Sequence, residues 1–163
     1  MRNFIEISKK SMGELIDYIV DEFHSPLRVD LEKLDKLIED IYIVLENKKK
    51  ILLPKEIFKQ FKSEIIEHIN KEEKDFFPEI INLEKWLKID KQLLRKFIHI
   101  QEIEHNEIDN YLIWWKSSIQ KLFKEKLDKY DELILLIDKI FSDTQDHTYI
   151  ENNFLNPKVS KMV

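Results

Sequence analysis

The chain has 163 residues, a formal net charge of -5 and no cysteine, a length that suits one domain with its own core and a composition that excludes disulfides, thiolate metal sites and thiol nucleophiles together. Its 27 Lys and Arg and 32 Asp and Glu are interspersed, so no concentrated basic face is offered to a phosphate backbone. Gly13 is the single glycine, which excludes glycine-rich loops that cradle phosphates.

The opening MRNFIEISKK has no long apolar core ahead of a small-residue cleavage site, and no apolar run approaches bilayer length. The expectation is a cytoplasmic protein without membrane or nucleic-acid partners. A single domain is expected over residues 1–163, with an N-terminal arm at 1–11 and a C-terminal tail at 158–163. Isoleucine alone favours strands, so the period of the apolar positions decides. Ser11 with Glu14 is a capping box and predicts a helix from about Met12 with Leu15, Ile19 and Val20 inward. Ser25 and Pro26 interrupt it, with His24 at the irregularity. Beyond them Leu27, Leu31, Leu34, Ile38, Ile41 and Leu45 step by threes and fours, an amphipathic helical pattern. Lys48 to Lys50 read as solvated surface in a polar connection.

Pro54 suits the first turn of a second helix whose inward stripe is Phe58, Phe61, Ile65, His68, Glu72 and Phe76, closed or bent at Pro78. After a link through Trp86 and Leu87, Asp90 predicts the cap of a long third helix. Leu94, Phe97, Ile98, His105, Ile108, Leu112, Trp115 and Ile119 are in phase along it. Trp114 and Trp115 are adjacent and cannot both face the core, so one is a candidate surface for a homodimer or protein partner. A fourth helix starts near Asp128, buries Leu133, Leu136 and Ile140, and carries His147 and Glu151 in the same stripe. Four long amphipathic helices with short links predict an all-α, antiparallel up-down four-helix bundle.

One pattern occurs twice: HINKEEKDFFP, from His68 to Pro78, and HTYIENNFLNP, from His147 to Pro157. Each places a histidine one helical turn ahead of a glutamate, then an apolar pair and a proline. With His24 and His105 the inward stripes carry one imidazole per helix, accompanied by Glu72 and Glu151. Burying ionised carboxylates costs several kcal/mol each without compensation. A His–Glu pair at this spacing is often only a surface interaction. Four such histidines in phase with two glutamates make a bound cation the better explanation, and imidazole plus carboxylate suits iron, manganese or zinc. His99 is turned off the stripe and is expected at the surface. Glu67, Glu73, Glu102 and Glu104 are expected in solvent, with one of them able to accept a hydrogen bond from a ligand imidazole.

The segments LIDYIVDEFHSPLR, HINKEEKDFFP, EHNEID and HTYIENNFLNP resemble the hemerythrin-like domains, most closely the di-iron repair-of-iron-centres proteins, over about Leu15 to Pro157. The resemblance implies two iron ions, with His24, His68, His105 and His147 as terminal ligands and Glu72 and Glu151 as bridging carboxylates. It implies binding of, or response to, oxygen, nitric oxide or peroxide, a role in stress, and iron donation to damaged iron–sulfur centres. Two departures stand out. The family usually supplies a fifth histidine late in the first long helix, where this chain has Leu45, which cannot ligate, followed by Glu46, which could turn in as a substitute ligand; the more economical reading is that Leu45 leaves one iron under-coordinated, more labile or absent. The N-terminal cysteine-containing domain of the repair proteins is missing from this sequence. Two other classes stay open: a ferritin-like oxidase or peroxidase, for which Glu102 and His105 offer one Glu-x-x-His motif, and a metal-free bundle serving as an interaction module.

Overall fold

The computed structural model describes residues 2–44, 52–122 and 129–163, and among these every regular element is helical. A short helix, α1 (Phe4–Ile7), lies within the arm and buries Ile7. Four long rods follow. The first joins α2 (Met12–Ile19), a π turn, π1 (Val20–His24), and α3 (Ser25–Val44). The second joins α4 (Leu52–Lys71), π2 (Glu72–Phe76) and α5 (Phe77–Glu84). The third is α6 (Lys91–Leu122), and the fourth joins α7 (Tyr130–Ile150), π3 (Glu151–Leu155) and α8 (Asn156–Ser160). Contacts close a ring: α3 packs on α4 and α7, and α6 packs on the same two, while α2 lies against α5.

The predicted starts hold where their caps are local. The Ser11 side chain accepts from the Glu14 N–H and the Glu14 carboxylate accepts from the Ser11 N–H, so α2 begins at Met12. Asp90 Oδ1 accepts from the Gln92 and Leu93 N–H groups at 3.0 Å each, and α6 follows. Gly13 has a different task from the turn usually assigned to glycine. Glu84 reaches back from α5 to accept from the Met12 N–H at 2.8 Å and the Gly13 N–H at 3.0 Å. A Cβ on residue 13 would stand 3.1 Å from that carboxylate and 3.3 Å from Ile81.

The irregularity expected at His24 is a π turn, after which the helix restarts at Ser25 with Pro26 in its first turn and runs to Val44, while Pro78 does not close its rod, which runs on to Glu84. One burial expectation needs correction. In α7 it is Ile137 that is buried between Leu133 and Ile140, while Leu136 is only half-buried. The device that carries the rods past proline is the same each time. Pro26, Pro78 and Pro157 each stand two residues beyond a five-residue π turn. The turns are closed by bonds to the fifth preceding carbonyl: Ser25 N–H to Val20, Phe77 N–H to Glu72 and Asn156 N–H to Glu151. Proline lacks an N–H and crowds the carbonyl four residues back. Here that carbonyl lies inside the widened turn, where the ladder has already shifted.

The apolar core falls into two clusters. One runs from Leu27 to Ile41 with Phe58, Phe61, Ile65, Trp115 and the start of α7; the other joins Ile7, α2, Phe76 to Leu83, Leu94 and Leu155. Between them lies a layer of polar side chains.

Candidate metal centre

The π turns bring chemistry into that layer. His24 ends π1, Glu72 opens π2 and Glu151 opens π3, while His68 and His147 sit one turn ahead of their glutamates and His105 comes from the middle of α6. All six residues are between 0% and 3% exposed. The structure therefore brings together every histidine and glutamate expected at the centre, apart from Glu46, which with Leu45 lies outside the described residues. α3 runs unbroken from Ser25 to Val44, which carries its end about 30 Å along the axis from His24.

The six side chains form two groups that share a carboxylate: His24, His147, Glu72 and Glu151, and His68, His105 and Glu72. Glu72 turns Oε2 to His24 Nε2 at 3.1 Å and to His147 Nε2 at 3.8 Å. Its Oε1 faces His68 Nε2 at 3.0 Å and His105 Nε2 at 3.8 Å. Glu151 divides itself the same way, Oε1 to His147 at 3.2 Å and Oε2 to His105 at 3.1 Å. Each pair of imidazoles thus meets one oxygen from each carboxylate.

The outer nitrogens fix the chemistry of the inner ones. His24 Nδ1 is 2.9 Å from Glu73 Oε1, and His68 Nδ1 is 2.7 Å from Glu104 Oε2. An ionised carboxylate only accepts, so Nδ1 carries the proton in both rings. Nε2 of a neutral ring is then a bare lone pair aimed at the centre. There it meets carboxylate oxygens, and also the Nε2 of a second ring, at 3.2 Å for His24 with His147 and 3.0 Å for His68 with His105. Acceptors facing acceptors in a buried layer require positive charge between them, supplied by protons or by a metal ion. Either group can hold a metal ion.

In the metal-free protein protons fill part of that need. Burial pushes the His68 imidazole down, but the charge of Glu72 and hydrogen bonds to Glu104 and Glu72 outweigh it and raise it to about 10. His105, opposed by burial and favoured by Glu151 and Glu72, rises to about 9. His24 is also raised, against its burial, by Glu72. His147 goes the other way, because burial dominates and His24 adds a like charge. Burial and Glu72 push the Glu151 carboxyl up, but His147 and His105 hold it down at about 2. Glu72 lies well below the ordinary carboxylate range, burial being overcome by His68, His105 and His24.

Of the four glutamates expected in solvent, Glu67 and Glu102 are exposed, and Glu73 and Glu104 are the two that orient ligand imidazoles. Arg28 clamps Glu73 at 3.1 Å and Lys71 reaches Glu104 at 3.3 Å. His99 is exposed, as expected. The exposure of Glu102 leaves the Glu-x-x-His motif of a ferritin-like site with its carboxylate facing outward. Sequence reasoning missed Gln101, which is 3% exposed and donates from Nε2 to Glu72 Oε1 at 2.7 Å. The signal for it was its place one turn ahead of His105. No protein-family model matches the chain, and no curated protein matches it.

Proposed function

We propose that this chain is a hemerythrin-like non-haem iron protein that holds two iron ions between its four rods. Its fold, in this reading, is the antiparallel up-down four-helix bundle of that family, which the closed ring of rod contacts supports. The observation that carries the reading is the division of Glu72 and Glu151 between two pairs of imidazoles. Two carboxylates shared in this way suit two adjacent cations, and a donor set of imidazole and carboxylate without thiolate suits iron.

The first group would offer an ion four protein donors, His24, His147, Glu72 and Glu151, and the second three, His68, His105 and Glu72. When bound, iron offers open positions for a small ligand such as oxygen, nitric oxide or peroxide. The residues contribute orientation and dryness. Glu73 and Glu104 hold the His24 and His68 rings in the tautomer that presents Nε2 inward. Phe77 stacks on His24 at 5.7 Å and Phe23 on His147 at 5.7 Å, walling the layer off from water. Binding of or response to oxygen or nitric oxide is the function this arrangement suits in this reading, and iron donation to damaged iron–sulfur centres is the further role that the family resemblance implies.

Purification without oxygen followed by elemental analysis tests the assignment. Iron near two equivalents per chain is expected, and His68→Ala and Glu151→Ala should each remove at least half of it. Unchanged metal in both variants, with the fold intact, dismisses the site.

A further inference from the structure

A buried metal centre needs a path by which ions arrive, and three of its edges differ in charge. At the His24 edge the outer carboxylate, Glu73, is covered by Arg28, and at the His68 edge Glu104 is covered by Lys71. Both edges present a cation to an incoming cation. The His105 edge does not. Gln101, His105 and Asp109 lie at intervals of four residues along one face of α6, so they stack at about 6 Å per step. Each carries a buried polar atom without a hydrogen-bond partner: Gln101 Oε1, His105 Nδ1 and Asp109 Oδ1. Thr148 Oγ1, on α7 between Gln145 and Glu151, is a fourth. α7 packs against α6. Gln145, exposed, is the neighbour that offsets part of the burial of the half-buried Asp109 carboxylate at the outer end, and among the described residues no lysine or arginine ion pair with Asp109 is seen.

Buried polar groups are satisfied by protein or by ordered water; Gln101 is tied to Glu72 of the second rod, and the unsatisfied His105, Asp109 and Thr148 atoms of α6 and α7 are the ones that suit a hydrated seam. At the His147 edge Arg2 lies over Phe23, which stacks on His147, and pairs with Asp143 and Asp146, so that edge also presents a cation. Resting on the metal-centre reading above, we infer that divalent cations reach the centre along the α6–α7 seam, with Asp109 as the carboxylate that receives them at the surface. Asp109 attracts the ion, Gln145 and Thr148 offer oxygens on the way, and His105 is the first ligand met.

The test is the kinetics of cobalt(II) uptake by the metal-free protein, followed by absorbance after rapid mixing, in wild type, Asp109→Leu and Gln145→Leu. Both substitutions place apolar bulk in the seam; the second is at an exposed position that folding tolerates. The expected result is uptake and release slowed together, by about tenfold or more in Asp109→Leu, with the dissociation constant unchanged within about twofold and the same final stoichiometry. A residue that merely oriented His105 would instead speed release and weaken binding. Wild-type rates in both variants, or weaker affinity with faster release, overturn the route while leaving the centre standing. A wild-type protein that takes up no cobalt overturns the centre itself.

Discussion

Because Glu104 accepts the Nδ1 proton of His68 at 2.7 Å, the only nitrogen that ring can offer the centre is Nε2, and whatever occupies Nε2 sets the charge of the layer. In the metal-free protein it is a proton, since His68 titrates at about 10 and His105 at about 9. A metal ion must expel both, so its affinity should rise with pH from about 6 to about 9 and binding should release protons; titrations in buffers of different ionisation heat check this, and an affinity flat across that range contradicts it. The same shifts govern stability without metal. His68, raised from 6.5, contributes fully below pH 6.5 and loses its contribution as pH climbs through about 10. Glu151, lowered from 4.5 to about 2, contributes above pH 4.5 and loses its contribution as pH falls through about 2. Thermal melts of the metal-free protein should therefore plateau between those ordinary values and decline on both sides. Glu104→Gln should weaken metal binding by about 10- to 100-fold with the fold intact, measured by equilibrium titration. The six buried histidines and glutamates of the layer were legible in the sequence because each lies on an apolar stripe at helical spacing. Which glutamates would orient them was not, because His24 meets Glu73 and His68 meets Glu104 across different rods, and one sequence carries no register between rods.

At the scale of the elements, local signals were read well and a one-residue irregularity was not. The Ser11 capping box and the Asp90 cap are made within three residues of the chain, so their chemistry is visible in the string itself. A π turn adds a single residue to a pattern already stepping by threes and fours, and leaves that pattern almost unchanged. The prolines were the available sign: Pro26, read as a kink or a restart, and Pro78, read as a close or a bend, each follow a π turn beyond which the helix goes on. Gly13 and Glu84 show the same gap between local and distant causes. The glycine suggests backbone freedom, but its role is to let a carboxylate from the end of α5 approach the first turn of α2. Glu84→Ala removes the acceptor for two orphan N–H groups and should cost about 1 kcal/mol, lowering the melting temperature by about 2–4 °C. An unchanged melt would mean that water serves those groups equally well.

For the whole molecule, the polar layer separates two apolar clusters, so the four rods are held at both ends by hydrophobic packing and in the middle by charge. Trp115 belongs to the packed part at 1% exposed, and its neighbour Trp114 is 51% exposed, as adjacency on one helix demands. This arrangement makes folding and metal binding parts of one equilibrium: an ion bound only by the assembled rods must stabilise their assembly. A layer satisfied by protons alone, in which the imidazolium groups of His68 and His105 are the permanent partners of Glu72 and Glu151, is the alternative that a binding measurement separates from a metal centre. The most direct measurement is an anaerobic titration of ferrous iron into the metal-free protein, with stoichiometry and melting temperature read together. Two equivalents bound per chain, with the melting temperature climbing until both are filled, is the predicted result; no saturable binding and an unmoved melting temperature would contradict it.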